Sequence, residues 1–317
     1  MLEENSYQHW RSIMAGIKRI FLFLSINFLV ILMISFILHL FNIQPYLTHY
    51  GLDYNSLLIF CFLWGMIGAL VSLSLSRFIA KSVMGVRVID PNTTDPDYQT
   101  LLRMVERLTQ KAHLSNIPEV GVYQSNEVNA FATGPTKRRS LIAVSTGLLN
   151  RMKENEIEAI LGHEMSHIAN GDMVTMTLLQ GVVNAFVMFL ARVIAYAVSG
   201  LGRSNKNSGS SGSYFSYMMF VYLFEVVFMI LGSMVVATYS RFREYRADAG
   251  GAHLAGKEHM ISALQSLRVM QEIKDIRHEN ASFQSLKIAA PSKKGLIMLF
   301  ATHPPIDQRI ERLQKMI

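Results

Sequence analysis

The chain has 317 residues, half of them hydrophobic and only 17% charged, with a mean hydropathy of +0.25. A soluble domain carries about 25% charge, so disorder is excluded and the missing charge implies long apolar stretches. A single cysteine, Cys61, excludes a disulfide framework and a Cys-ligated zinc, so any metal must be held by His and carboxylates. The net charge of +7 and pI near 9.4 fit either a nucleic-acid partner or a bilayer protein with basic edges, and the distribution of Lys and Arg decides between them.

Residues 20–41 and 57–76 contain no charge, and each is long enough to cross a ~30 Å hydrocarbon core as a helix. The first run is too long for a signal-peptide core and lacks a small-residue cleavage site, so it is expected to stay attached. The bulky residues before Cys61 do not make a lipobox. Residues 173–198 and 214–239 are equally long, with one charge each, Arg192 and Glu225. Four transmembrane helices are therefore expected.

Arg11, Lys18 and Arg19 precede the first span, and Arg77, Lys81 and Arg87 follow the second, with no Lys or Arg between. This bias places the N-terminus and residues 77–172 in the cytoplasm and the Gly/Ser-rich 199–213 loop outside, against the pull of Arg203 and Lys206. Residues 241–317 return inside. The expected organisation is a transmembrane hairpin over 1–77, the first part of a cytoplasmic domain over 78–172, a second hairpin over 173–239, and the rest of that domain over 240–317. Arg192 and Glu225 fall roughly 9 Å and 16 Å from the outward loop. They either pair within the membrane or Arg192 snorkels outward.

In the first polar block, 85–89, 119–123 and 140–144 have strand character, and 97–112 repeats apolar residues at helical spacing. The order is mixed α and β, with no glycine motif for phosphate. The helix formers at 156–160 lead into His163-Glu164-Met165-Ser166-His167, so the motif belongs on a helix from near Lys153 to about Asn170. His163 and His167, four apart, share a face and can reach one metal ion, while Glu164 is turned about 100° away, placed to take a proton from water. That pattern points to metal-assisted hydrolysis.

A third ligand must be His, Asp or Glu. Glu244 and Asp248, just after the fourth span, share a helix face: Glu244 suits the metal, and Asp248 suits the free N–H of a ligating His. Spacing alone equally allows a charged juxtamembrane helix interleaved with arginines. His113, His253, His259 and His278 read as surface residues. The glycosylation acceptors at Asn92 and Asn280 have no use on the cytoplasmic side. Residues 282–295, with Pro291 and Gly295, read as a mobile loop.

His163-Glu164-x-x-His167, followed by Ile168-Ala169-Asn170-Gly171-Asp172, together with Arg243-Glu244-Tyr245-Arg246-Ala247-Asp248, resembles the HtpX family of membrane-integrated zinc metalloproteases of bacterial inner membranes. That family is similar at its active site to the CaaX prenyl proteases, and both are gluzincins. The resemblance covers nearly the whole chain. It implies one Zn2+ per chain held by His163, His167 and Glu244, Glu164 as general base, and Asp248 supporting a ligand. It also implies that Asn129, Ala130, Phe131 and Ala132, in the run to Gly134, form an edge strand that binds extended substrate. His303 or Arg309, in His303-Pro304-Pro305-Ile306-Asp307-Gln308-Arg309, would stabilise the oxyanion. Alternatively the two prolines start the last helix while Arg309 pairs with a carboxylate.

The fold expected is thus an α-helical membrane protein with four transmembrane helices and a mixed α+β, gluzincin-like zinc metalloprotease domain on the cytoplasmic side. The expected function is an endopeptidase of the bacterial inner membrane that cuts misfolded or damaged membrane proteins in quality control. Its partners are membrane-protein substrates and the lipid bilayer, not nucleic acid, and the sequence carries no signal for oligomeric state. The rivals are a CaaX-type protease and a non-enzymatic metal-binding scaffold.

Overall fold

The structure, a computed structural model, describes residues 47–48, 51–201, 210–279 and 300–316. The expected span at 20–41, the greater part of the 199–213 loop, Asn280 and the 282–295 loop lie outside the described residues. The chain divides into two compact units, one within residues 1–60 and 270–292, the other within 61–269 and 293–317.

In the first unit, β1 (Leu47–Thr48) pairs antiparallel with β2 (Gly51–Leu52), Leu47 opposite Leu52. Asp53 then starts α1 (Tyr54–Ser82), accepting from the Asn55 N–H at 3.0 Å and the Ser56 hydroxyl at 2.7 Å. Most of α1 belongs to the second unit.

The second unit is built on a four-stranded sheet in the order β3-β4-β6-β5: β3 (Arg87–Val88), β4 (Glu119–Tyr123), β5 (Ala130–Thr136) and β6 (Arg139–Ser145). The strand expected over 85–89 shrinks to two residues. Gly85 is left-handed at φ +70, and the Val86 N–H closes on Ala80 O at the end of α1 rather than on a strand. β4 runs parallel to the central strand β6, whose residues Leu141 to Val144 are wholly buried, and β5 runs antiparallel along its other side. One face of the sheet buries Val86, Tyr123, Leu141 and Ala143 with Ala80 of α1. Asp95 caps α2 (Pro96–Lys111), with Pro96 in the first turn, and its apolar stripe buries Leu101, Met104, Val105 and Leu108. The short α3 (Thr146–Arg151) leads into α4 (Glu154–Asn170), which packs beside β5 and β6.

Three described helices are long and apolar enough to cross a membrane: α1, α5 (Asp172–Leu201) and α6 (Ser210–Ala255). Gly65 and Gly181 let α1 and α5 touch; a β-carbon on Gly65 would sit 2.6 Å from Gly181 O. Large apolar side chains such as Ile67, Leu75, Leu231 and Val235 are exposed, as lipid-facing helices require. Composition placed the end of the last apolar stretch at Tyr239, but the helix does not end there. With 46 residues, α6 is about 69 Å long and carries the 240–248 segment as its direct continuation. After it come α7 (Lys257–Glu279) and α8 (Ile306–Gln314), the latter opened by Pro305.

The two charges in the α5–α6 hairpin are paired. Arg192 Nη1 donates to Glu225 Oε1 at 2.7 Å and to Met188 O at 3.1 Å, and both residues are 5% exposed. Glu225→Gln removes this carboxylate from beside a buried guanidinium, which costs about 3–5 kcal/mol. We expect a clear drop in the thermal midpoint in detergent, relieved by changing the pair together to Met and Leu. An unchanged midpoint for Glu225→Gln would refute a stabilising pair.

Candidate metal centre

The helix that carries His163 and His167 has well-defined ends. Glu156 accepts from the Lys153 N–H at 3.0 Å at its start, and left-handed Gly171 at φ +71 closes its last turn on the His167 and Ile168 carbonyls. Glu156 is itself buried and also accepts from Ser262 at 2.8 Å and Ser266 at 2.7 Å on α7, which clamps the helix start.

Small residues bring α6 against this helix. A β-carbon on Gly250 would clash with the Ser166 side chain, and one on Gly251 would stand 3.0 Å from the His163 backbone nitrogen. A β-carbon on Gly162 would likewise stand 3.3 Å from Gly251 O. This close approach sets Glu244 and Asp248 against the two histidines, and all four are buried.

The Nε2 atoms of His163 and His167 stand 3.2 Å apart, with Glu244 oxygens 3.5 Å and 3.3 Å from them. Among the described residues, these three form the one group of His, Cys, Asp or Glu whose ligand atoms all lie within 4.8 Å of one another. Two imidazole nitrogens converging on a buried carboxylate make an N2O donor set that fits a divalent cation with an open position. Glu164 sits half-buried on the next position of the helix, outside the group.

Each histidine is backed by a carboxylate. His167 Nδ1 bonds Asp172 Oδ2 at 2.7 Å. His163 Nδ1 lies 3.0 Å from Asp248 Oδ1, though at an angle off the hydrogen-bond line. Asp248 is gripped by Arg309, whose Nε and Nη2 donate to its two oxygens at 2.8 Å and 2.6 Å. His303, its side chain 65% exposed, places Nδ1 2.7 Å from Glu244 Oε2.

Burial works against a charged imidazole at His163, yet the Asp248 and Glu244 carboxylates outweigh it and push its pKa up to about 9. His167 moves the same way, where Asp172 and Glu244 overcome burial. Glu244 stands beyond the apolar stretch; burial would raise it, but His163, His167 and His303 hold it far below the usual carboxylate range.

His163, Glu164, His167, Glu244, Asp248, His303 and Arg309 thus converge on one centre. Asn129, Ala130, Phe131 and Ala132 lie on the sheet edge, with Asn129 exposed and the other three half-buried. The Asn129 carbonyl accepts from the Ser145 N–H, so by antiparallel alternation Phe131 and Thr133 face β6 while Ala130 and Ala132 turn their N–H and C=O to the open edge. Sequence reasoning missed the roles of Asp172 and Glu156. The helix stop at Gly171 is the signal that turns Asp172 back toward His167.

A model of peptidase family M48 matches residues 97–317. The chain belongs to peptidase family M48. Within M48, it is 48% identical over 304 residues to a "Protease HtpX homolog" of Bacillus licheniformis, covering 94% of this chain and 99% of the relative. Its identity to the Bacillus subtilis homolog is 46%, over the same shares. It is also 46% identical over 299 residues to "Protease HtpX" of Chromohalobacter salexigens, covering 94% and 98%. The crystal structure of S. mikatae Ste24p shares the fold, with a TM-score of 0.58 at 18% identity over 97% of this chain and 67% of that one. This M48 chain is a membrane metalloprotease, and its His163, His167 and Glu244 form a group that could hold a metal ion.

An M48 centre of this form makes a direct prediction for Asp172. Asp172→Asn leaves the size of the side chain but loses the charged acceptor that fixes the His167 tautomer, and metal affinity should fall about 10–100-fold. Competition with a calibrated chelator measures it, and an affinity within a factor of two of wild type would remove Asp172 from the site.

Proposed function

We propose that the chain is a zinc endopeptidase of the bacterial inner membrane that cuts misfolded or damaged membrane proteins where they emerge on the cytoplasmic face. Four spans, the first at residues 20–41, would carry it, with the polar blocks 78–172 and 240–317 forming one cytoplasmic protease domain. The observation that carries this reading is the continuity of α6. Glu244 follows Tyr239 by five residues, about 8 Å, on the same helix as the apolar stretch. His167 lies six residues before Met173, where the apolar run of α5 begins. A site so close to two membrane exits suits segments that leave the bilayer.

In this reading His163, His167 and Glu244 hold the zinc, and Asp172 and Asp248 keep the two imidazoles oriented. A zinc ion held there supplies the polarisation that makes both water and the scissile carbonyl reactive. Extended substrate pairs with the outward N–H and C=O groups of Ala130 and Ala132, continuing the sheet. Glu164 takes the proton of the attacking water and delivers it to the departing amine nitrogen. Exposed His303 is the better candidate for donating to the developing oxyanion, because Arg309 spends two of its nitrogens on Asp248 and so acts as a positioning residue.

The test uses protein reconstituted in proteoliposomes and a model substrate offered twice, as an unfolded loop tethered to a transmembrane helix and as the same loop free in solution. Metal content is read in parallel by mass spectrometry. Stoichiometric zinc and strong preference for the tethered loop support the proposal. Equal cleavage of both forms would refute the membrane-substrate reading, and another metal at full occupancy would refute zinc.

A further inference from the structure

Between Val128 and Lys153 the chain carries no Asp or Glu but five basic residues: Lys137, Arg138, Arg139, Arg151 and Lys153. Three of them are consecutive at the β5–β6 turn, and all three are exposed. The turn has a fixed height. Lys137 Nζ donates to Ala169 O in the last turn of α4, and its stem runs over Gly171, where an added β-carbon would sit 3.2 Å from Lys137 Cε. Gly171 immediately precedes α5, whose apolar run begins two residues later, at Met173. The turn therefore stands where a spanning helix leaves the bilayer.

Three other cations near these membrane exits are already engaged. Arg77 and Lys81 at the end of α1 pair with Glu119, and Arg243 on α6 lies 3.5 Å from Asp172. Among the described residues no carboxylate comes within ion-pair distance of Arg138 or Arg139. Adjacent exposed arginines without an acid, held at the membrane boundary by a neighbouring lysine, match the phosphodiester of an anionic lipid headgroup.

We propose that the Lys137-Arg138-Arg139 turn docks on anionic lipid headgroups and so fixes the membrane end of the β5–β6 hairpin. The interaction requires only that α5 crosses the bilayer, and it is independent of the proposed substrates and metal. Each arginine near an anionic surface strengthens the contact roughly fivefold, and salt weakens it.

The test is amide hydrogen exchange on the full chain in nanodiscs, comparing phosphatidylcholine alone with phosphatidylcholine containing a third phosphatidylglycerol. The variant Arg138→Gln/Arg139→Gln leaves Lys137 and its bond to Ala169 in place. Exchange over residues 136–140 should slow several-fold in the anionic discs for wild type, recover in high salt, and show no lipid dependence in the variant. Unchanged exchange across β4 in both proteins reports that the sheet is intact. Equal exchange of wild type in both discs, or lipid-dependent slowing retained in the variant, would overturn the proposal. So would full protection from inorganic phosphate in phosphatidylcholine discs, which would mark a soluble-anion site.

Discussion

Glu164→Gln is expected to lower proteolysis about 10²–10⁴-fold while leaving metal content at the wild-type level. The side chain keeps its size and its place on α4, half-buried next to His163, and it lies outside the His163, His167 and Glu244 group. An amide cannot accept the proton of the attacking water, so the loss should fall on turnover rather than on substrate binding. Parallel assays of turnover and bound metal on purified protein decide it. Retention of more than half the activity would remove Glu164 from proton transfer. Loss of metal along with activity would instead make it part of the ligand set.

Stripping the metal with a chelator is expected to make stability depend on pH in a defined direction. Without the ion, His163 is held up at about 9 against an ordinary value of 6.5. A raised pKa means that the charged imidazole stabilises the fold fully below about 6.5, and that this contribution disappears as pH rises through about 9. The size is of order 3 kcal/mol by linkage, and the depressed Glu244 describes the same interaction from the other side. Loaded protein should show little of this slope, because ligation already requires neutral imidazoles. For the same reason apparent metal affinity should rise with pH. Unfolding midpoints in detergent at pH 6 and pH 9, with and without chelator, test both statements. A chelated protein that gains stability toward pH 9 would contradict them.

Parts of this molecule are legible from sequence because they repeat with a local period. His163 and His167 could be assigned to one face since their spacing matches the helical turn, and the helix runs Glu154–Asn170 as expected from about Lys153 to Asn170. The spacing of Glu244 and Asp248 gave a shared face but not what that face meets. The answer lies in the contact at Gly162, Gly250 and Gly251, which is tertiary and leaves no periodic trace. Composition marks where apolar residues stop, near Tyr239, but helical hydrogen bonding continues through Ala255 because nothing there breaks it. The Arg192–Glu225 alternative was open for the same reason, since two charges 33 positions apart have no local signature. Pairing Asp172 with His167 needs the chain to turn at Gly171, which the two residue types alone do not reveal.

The uninterrupted α6 joins the Arg192–Glu225 pair and Glu244 in one continuous helix, so a change in bilayer thickness bears on both ends of it. Glu225, in the apolar half, and Glu244 are 19 residues apart on one rod, about 29 Å. If the rod pivots near the Arg192–Glu225 pair to relieve hydrophobic mismatch, each degree of tilt carries Glu244 about 0.5 Å past His163 and His167. A membrane that thickens or thins would therefore load the close contact at Gly162, Gly250 and Gly251 that holds Glu244 against the two histidines.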